Sequence, residues 1–393
     1  MDPHDESSCF EAVAGRDPVG GGARLLAVLA AVLLAGWVGG PNDGAAQQTA
    51  LPGFTGGIEA VYQNFSFDDE EEVGIRSVSL LTLPFAGRIG LAPGVRMELR
   101  GNVARGELIR PDESSIEISG LTDTELRMVA DLMDGAASIT AFALIPTGNS
   151  TLSVEEMGLA GVVGADLLPF RVSNWGSGGG FGAAVTLLHT VGEYGFGMSG
   201  GYTAAREFEP LADEPIQYRP GNQLHLRAAV DRTFNGASKG TLQVSWQRYD
   251  DDAVDGVNLF RSGDRIQGTV SYAFPAGATS NAVVYAGYLH RAEGQFLLDP
   301  ETRSSEGLVL LGGGLRTAML GGVLVPTADL RLLRRDDGVD QGVLGGVGAT
   351  LELGAGDVTL LPSARVRLGN VTVAEGVESG VRGIELGFGV RMP

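Results

Sequence analysis

The chain has 393 residues and a net charge of −20, and 61 of its residues are glycine. An acidic balance of this size disfavours nucleic-acid binding, because nucleic acids are recognised through basic surfaces. Although 44% of the residues are hydrophobic, no apolar run reaches the ~20 residues that a membrane-spanning helix needs. A chain of this composition that lives in a membrane therefore crosses it as strands.

The N-terminal part is typical of an exported protein. The apolar run Leu25–Val38 follows an arginine and precedes small residues up to Ala46. As a helix this run would reach only ~21 Å, which is short of a ~30 Å hydrocarbon core. We therefore predict a leader and secretory signal peptide over 1–46 and a barrel domain over 47–393, with an uncleaved anchor as the alternative. The single cysteine, Cys9, precedes the apolar run, so we predict no disulfide and no cysteine–zinc site.

Beyond about residue 54, stretches of roughly 10 to 14 residues alternate apolar and polar side chains, so that each has one apolar and one polar face. The gaps between them are alternately short and long, as in bacterial outer-membrane barrels. The predicted strands span 54–66, 74–86, 93–106, 119–133, 136–147, 178–191, 194–206, 220–233, 239–251, 260–274, 279–291, 305–317, 321–334, 341–353, 356–368 and 380–391. The predicted fold class is all-β, a closed antiparallel transmembrane β-barrel of sixteen strands. Fourteen strands is the alternative, because the stretches 74–92 and 305–325 are weakly patterned.

The longest connection, 149–177, carries a helix signal. Ser153 and Glu156 have the spacing of a helix capping box, and apolar residues run from Met157 to Leu168. Glycines at spacing three, at 158, 161 and 164, predict a small-residue face that packs closely on a wall. The position and length of this connection are similar to those of the third loop of general porins, which folds into the pore. We predict that it constricts the lumen, with a helix over the barrel mouth as the alternative; the residues assigned to the constriction are Glu155, Glu156, Leu159, Val163 and Leu167.

Strand parity identifies the charged side chains that point inward. A wall that mixes arginines and carboxylates can orient polar solutes through a transverse field. The plainer alternative is a lumen kept polar by ion pairs between neighbouring strands. The predicted pore-lining residues are Arg96, Glu98, Arg100, Glu125, Arg127, Asp131, His225, Arg227, Arg265, Arg331, Arg365 and Arg367.

The loops concentrate acidic residues, as in the runs 68–72 and 250–252. We interpret them as a solvated, self-repelling rim, with divalent-cation sites as the alternative. Neither run has the ligand spacing of a calcium-loop motif, and no metal ligand or cofactor is predicted.

No catalytic signature is present. His189, His225 and His290 fall on three separate predicted strands, and no nucleophile-elbow motif accompanies them. An enzyme is therefore not predicted.

Two segments carry a resemblance to a known family. The segment 120–127 (Gly-Leu-Thr-Asp-Thr-Glu-Leu-Arg) and the later Ile145-Pro146-Thr147-Gly148 resemble the outer-membrane family associated with meta-pathway phenol degradation. That family has a Gly-Leu-Gly-Asp-like strand start and a later Leu-Pro-Thr-Gly, so Thr122 and Ile145 depart from its pattern. The resemblance implies a barrel grouped with transporters of fatty acids and aromatic hydrocarbons.

Together these patterns predict a bacterial outer-membrane channel for passive diffusion of small solutes, exported by its signal peptide. A transporter of small hydrophobic or aromatic compounds is the alternative, and a non-transporting structural barrel is the third reading. The expected partners are outer-membrane lipid and lipopolysaccharide, small solutes and the barrel-assembly machinery. A homo-oligomer is left open.

Overall fold

A computed structural model of the chain describes residues 55–166, 168–235, 237–298, 302–319, 321–338, 341–374 and 377–392. The predicted leader and signal peptide, 1–46, lie outside the described residues. So does the start of the predicted barrel domain, before residue 55. All the described residues belong to one compact unit.

The first half of the unit consists of long strands, as the alternating pattern predicts. Two α-helices interrupt them, α1 (Glu70–Val73) after the first strand and α2 (Val154–Gly164) in the longest connection, and a 3-10 turn (Met133–Gly135) joins the fifth and sixth strands. The strands are β1 (Thr55–Phe67), β2 (Ser77–Ala92), β3 (Val95–Ile109), β4 (Ser115–Leu121), β5 (Thr124–Leu132), β6 (Ala137–Ile145), β7 (Gly180–Val191) and β8 (Tyr194–Ala205).

In the second half, long strands are separated by short strand pieces in three of the connections. The strands are β9 (Tyr218–Arg219), β10 (Gln223–Phe234), β11 (Ser238–Tyr249), β12 (Asp251–Val254), β13 (Val257–Arg261), β14 (Arg265–Pro275), β15 (Ser280–Arg291), β16 (Gly294–Phe296), β17 (Thr302–Arg303), β18 (Glu306–Met319), β19 (Gly322–Arg335), β20 (Gln341–Ala355), β21 (Val358–Ala374) and β22 (Val377–Met392).

The long strands form one antiparallel sheet that closes on itself. Each pairs with its neighbours in the chain, and β1 pairs with β22 from Gly56↔Met392 to Phe67↔Val381. Strands β4 and β5 both pair with β3, one along each half of it, and act as a single interrupted strand. The sheet is therefore a closed barrel of sixteen strands, as predicted from the sequence. Closure leaves the barrel without a strand edge, which is what a sheet in lipid requires.

The two faces of this sheet differ in character. Side chains directly opposite each other across a strand pair lie on the same face, so one residue of known facing assigns the rest. Gln63, Thr82 and Glu385 share the face that the long loop contacts from within the barrel. The opposite face carries large apolar side chains that are 40% exposed or more, including Leu99, Val185, Leu226, Val244 and Val366. We call the first the inward face and the second the outward face.

A second, smaller sheet lies in the connections and was not predicted. Its strand order is β17-β16-β13-β12-β9, and β12 continues directly from β11. Residues 252–259, the gap between the predicted strands 239–251 and 260–274, contribute to this sheet, and the prediction that 260–261 begin a barrel strand is wrong. The sequence signal was available: Asp255-Gly256 turns the β12–β13 hairpin with both residues at positive φ, 49° and 77°, and Asp-Gly is a strong hairpin signal.

The acidic run 250–252 has specific partners in this region. Asp252 accepts hydrogen bonds from Tyr218 Oη at 2.9 Å and from the Gly221 backbone amide at 2.6 Å. Asp251 pairs with Arg261 at 2.5 Å. The hydrogen bond to Asp251 raises the pKa of Arg261. Burial, followed by the nearby Asp252 charge, raises the pKa of Tyr218. This run therefore organises the small sheet instead of forming a purely solvated rim.

Candidate functional site

The site is built by the loop 149–177, which folds against the inward face of the barrel. Its helix α2 begins with the predicted capping box: the Glu156 amide donates to Ser153 Oγ at 3.3 Å, and the Ser153 amide donates to Glu156 Oε2 at 2.7 Å. Capping satisfies backbone amides that no helix bond can reach. The helix ends at Gly164, several residues before Pro169, so it is shorter than the apolar run predicted.

The base of the loop is clamped by one carboxylate. Asp123, between β4 and β5, accepts from the Gly148 amide at 3.2 Å and from both the amide and the Oγ of Ser177, at 2.7 and 2.6 Å. Thr147 Oγ1 donates to the Thr122 carbonyl at 2.8 Å. The two segments that carry the family resemblance therefore meet here and hold the two ends of the loop together.

An apolar cluster holds the loop against the wall. Leu159 and Val163 of α2 are buried in one cluster with Leu168 and Trp175 of the loop and with inward side chains of the barrel. Trp175 lies over β3, where a Cβ added at Gly106 would be 2.7 Å from its ring. The barrel side chains in the cluster are Phe65, Phe67, Val78, Leu80, Ala104, Leu108, Ile116, Ile118, Leu308, Leu333, Leu344, Val371 and Val381.

The small-residue face predicted on α2 is wrong. A Cβ added at Gly158 or Gly161 would meet nothing within 4 Å, so neither glycine packs on a wall. Only Gly164 is crowded, by the Ser173 carbonyl oxygen at 2.8 Å. The helix instead packs through the side chains of Leu159 and Val163, which are buried, and burial of apolar area is favourable.

A buried glutamine fixes the segment after the helix. Gln63, fully buried on β1, donates from Nε2 to the Pro169 carbonyl at 2.9 Å and accepts from the Arg171 amide at 2.9 Å. Arg171 then reaches two inward carboxylates, Glu385 at 2.9 Å and Glu59 at 3.7 Å. The loop backbone at this point is thus bound to the wall by paired polar groups, which is what a buried backbone requires.

Among the five predicted constriction residues, two belong to this contact. Leu159 and Val163 are 0% and 2% exposed. Glu156 caps the helix, and Glu155 is an exposed side chain that pairs with Arg110 at 3.7 Å. Leu167 lies outside the described residues. These contacts do not place any of the four described side chains in a path for solutes, so the constricting role stays a prediction.

All twelve predicted pore-lining residues lie on the inward face by register. On β3 and β5, Arg96 pairs with Glu98 at 3.2 Å and with Asp131 at 2.7 Å, Arg100 pairs with Glu98, and Arg127 pairs with Glu125. The pair Arg96–Asp131 joins the neighbouring strands β3 and β5, as the alternative of a lumen kept polar by ion pairs expects, whereas the other three pairs each lie within one strand. In the described part of the chain His225, Arg227 and Arg265 make no ion pair; His225 lies 3.3 Å from Thr203 Oγ1. Their role as pore-lining groups stays a prediction.

The last three predicted residues come together beside the loop. Arg365 and Arg367 both pair with Asp329, Arg367 at 2.8 Å. Arg331 donates from Nη2 to the Asp166 carbonyl of the loop at 2.8 Å. With Arg171 these side chains line a cavity of about 290 Å³, whose other lining residues are Pro169, Tyr285, Leu310, Leu311, Asp329 and Glu385. We call it the arginine cavity.

The wall on the other side of the barrel is not covered by the loop. A second cavity, of about 380 Å³, lies along β5 to β11 and is lined by polar side chains that include Arg127, Thr203, His225, Arg227 and Gln247. A third and larger one, of about 900 Å³, lies at the end of the barrel where β1 begins. It is lined by both signs of charge: Glu59, Arg88, Glu98, Arg100, Glu352 and Arg391.

The inward face is richer in basic than in acidic side chains, although the chain as a whole has a net charge of −20. The strand register also places charged residues on the inward face that were not among the twelve predicted ones. These are Arg88, Lys239, Arg291, Arg316, Arg335 and Arg391, together with the carboxylates Glu59, Asp231, Glu306, Asp329, Glu352 and Glu385.

Sequence reasoning missed several members of the site. Asp329 and Glu385 alternate with apolar neighbours on their strands, so strand parity could have found them. Gln63 and Arg171 carry no such signal, because their importance comes from a contact between segments 108 residues apart.

Among the described residues no helix is long and apolar enough to cross a membrane. In the same part of the chain, no group of three or more His, Cys, Asp or Glu side chains is arranged to hold a metal ion.

Comparison with solved structures finds bacterial outer-membrane proteins. A triple-mutant porin of Rhodopseudomonas blastica is 13% identical, with 86% of this chain and 99% of that chain covered and a TM-score of 0.39. A loop-deletion mutant of OmpT, an outer-membrane protein of Vibrio cholerae, is 12% identical, with 86% and 98% covered and a TM-score of 0.42. OprB of Pseudomonas putida is 9% identical, with 86% and 94% covered and a TM-score of 0.49.

No protein-family profile matches the chain, and no curated protein is similar to it in sequence. The resemblance to the family associated with phenol degradation therefore stays a prediction. At these identities the structural likeness concerns the fold alone.

Proposed function

We propose that this protein is an outer-membrane channel through which small polar solutes diffuse passively, and that the loop 149–177 narrows its lumen. The observation that supports this most is the unequal cover of the barrel's inner walls. Under the loop, inward residues such as Gln63 and Thr82 are fully buried. On the opposite wall, inward residues such as Arg227 and Gln267 are exposed. Water-accessible polar side chains along one wall are what a solute path beside a docked loop needs.

The lining argues for polar over hydrophobic solutes. The apolar residues with which the loop packs on the wall are closely packed, with Leu159, Val163 and Trp175 at 0 to 2% exposed. The cavity that borders the loop is lined by guanidinium groups. An apolar solute gains little from such a lining and would strip water from charged groups, which is costly.

A purely structural barrel is the remaining alternative. It would fill its lumen with paired side chains on every wall, as designed and small natural barrels do. The exposed inward side chains of β10 and β14 argue against that.

The proposal includes the location. The outward face carries many exposed apolar side chains, and such a surface is unfavourable in water and favourable against lipid. We therefore place the barrel in the bacterial outer membrane, in contact with lipid and lipopolysaccharide, after signal-peptide export and insertion by the barrel-assembly machinery. Fractionation of cells that express the full chain tests this, and recovery in the soluble periplasmic fraction would contradict it.

Cysteine accessibility tests the path itself. In a Cys9→Ser background, Gln267→Cys places a thiol on the inward face, and Ile266→Cys places one on the outward face of the same strand. Refolded protein is inserted into planar bilayers and treated with a charged, water-soluble methanethiosulfonate. We expect the conductance to fall for Gln267→Cys and to stay unchanged for Ile266→Cys. A flat trace from the unmodified protein, or an equal response of both variants, would refute the channel.

A further inference from the structure

We propose that the arginine cavity binds a small organic anion, with its carboxylate among the guanidiniums and its apolar body against the wall. This inference rests on the proposed channel and names the class of solute that would pause there. Four guanidiniums, of Arg171, Arg331, Arg365 and Arg367, line the cavity, against two carboxylates. The lining therefore has an excess of positive charge in a site partly removed from water.

The pairing within the cavity leaves guanidinium capacity unused. Asp329 is shared by Arg365 and Arg367. Glu385 is shared by Arg171 at 2.9 Å and Arg367 at 4.0 Å. A carboxylate that serves two cations at once compensates neither fully.

Arg331 is the guanidinium of the cavity that makes no ion pair with a lining carboxylate. In the described part of the chain it makes no ion pair, and its side-chain hydrogen bond goes to a backbone carbonyl, that of Asp166 at 2.8 Å. Its Nε is buried and has no hydrogen-bond partner, and the same holds for Arg367 Nε. A buried donor without a partner costs free energy, and so does a guanidinium without a counter-charge. An anion that enters the cavity supplies the counter-charge and accepts from the accessible guanidinium nitrogens.

Two inward positions next to the cavity are glycine, and this lets the lining side chains take the positions they have. A Cβ at Gly346 would lie 2.9 Å from Arg367 Nη1 and 3.1 Å from Asp329 Oδ1. A Cβ at Gly312 would collide with Tyr285 Oη. The absence of side chains at these positions keeps room beside Asp329 and Tyr285.

The remaining lining selects an organic anion over an inorganic one. Tyr285, Leu310 and Pro169 add apolar surface and a phenol hydroxyl to the lining. A volume of about 290 Å³ exceeds what a phosphate or sulfate ion fills. Guanidinium groups suit a planar carboxylate, which accepts two parallel hydrogen bonds. A carboxylate joined to a short aliphatic or aromatic body fits both kinds of lining.

Binding is measured independently of transport, by ¹⁹F NMR of 4-fluorobenzoate titrated into the refolded full chain in detergent micelles. 4-Fluorobenzamide is the neutral control for partition into the micelle and for an apolar effect alone. The test variant is Arg331→Gln. The matched control is Arg227→Gln, which removes an inward arginine on the opposite wall that also makes no ion pair in the described part of the chain.

We expect saturable binding of the benzoate, weakened about tenfold by Arg331→Gln and less than twofold by Arg227→Gln, because a hydrogen bond to a charged group is typically worth that much. Arg331→Lys keeps the charge and loses the planar fork, so we expect an intermediate affinity. This variant carries the test if Arg331→Gln does not refold to a heat-modifiable barrel.

Three results would overturn the site. They are equal weakening by the two glutamine variants, equal binding of the benzamide, or displacement of the benzoate by inorganic phosphate at lower concentration. Conductance of the same preparations separates this inference from the proposed function. If the protein binds benzoate but does not conduct, the channel is refuted and the site is supported. If it conducts but does not bind benzoate, the site is refuted and the channel is supported.

Discussion

The sharpest prediction concerns the glutamine that binds the loop to the wall. Gln63→Leu keeps the shape of the side chain roughly and removes its contacts with the Pro169 carbonyl and the Arg171 amide, both at 2.9 Å. Each of these backbone groups is then left without its partner. An unsatisfied group costs about 1–3 kcal/mol when it is buried. Both hydrogen bonds are only partly buried, so the docked position of the loop loses about 1–3 kcal/mol for the two together.

Loops open locally at a lower free-energy cost than the core of a protein. A loss of this size is therefore a large fraction of the free energy that holds the loop in place. We expect the loop to leave the wall for part of the time. Because the barrel strands keep their ladder of backbone bonds, the barrel itself persists. The loop and the wall therefore respond differently to one substitution.

The assay is single-channel recording in planar bilayers, combined with limited proteolysis of the refolded protein. Gln63→Leu should raise the mean conductance, increase the current noise and expose the segment around Arg171 to trypsin. The control is Asn64→Leu, the next residue on β1, which points outward. It should change none of these, because leucine on the lipid face is favourable. Unchanged conductance and cleavage in Gln63→Leu would show that the loop does not narrow the lumen through this contact.

Three further predictions use the same assignment of faces. Val244→Arg puts charge on the outward face near the middle of β11 and should destabilise the barrel in vesicles by about 2–4 kcal/mol. Gln243→Arg, at the neighbouring inward position, should be nearly neutral. Equal urea midpoints for the two variants would contradict the assignment of faces. Gly106→Ala crowds the ring of Trp175, 2.7 Å from the new Cβ, and should lower the urea midpoint by the equivalent of about 1–3 kcal/mol. The pKa of Tyr218 is raised by burial and by Asp252. Its contribution to the small sheet is therefore fully present below the ordinary tyrosine pKa and is lost as the pH rises from there through the raised pKa. Hydrogen exchange of the hairpin β12–β13 should show this loss, and Tyr218→Phe should abolish the pH dependence.

Local pattern determined the barrel. Alternation with a period of two, together with turn residues at regular intervals, located sixteen strands and the inward parity of residues such as Arg96 and Arg331, because strand geometry fixes facing residue by residue. The capping box at Ser153 likewise needs only neighbours in the chain. These features depend only on residues close together in the chain, so they can be predicted from the sequence.

Only the tertiary structure decided where the loop goes and what it meets. Gln63 and Pro169 are 106 residues apart, and Arg331 and Asp166 are 165 apart, so no spacing in the sequence links them. The small sheet depends in the same way on pairing between three separate connections. A closed barrel brings distant strands to a common interior, and the charges that share a height there are set by register and closure, which are properties of the whole ring of strands.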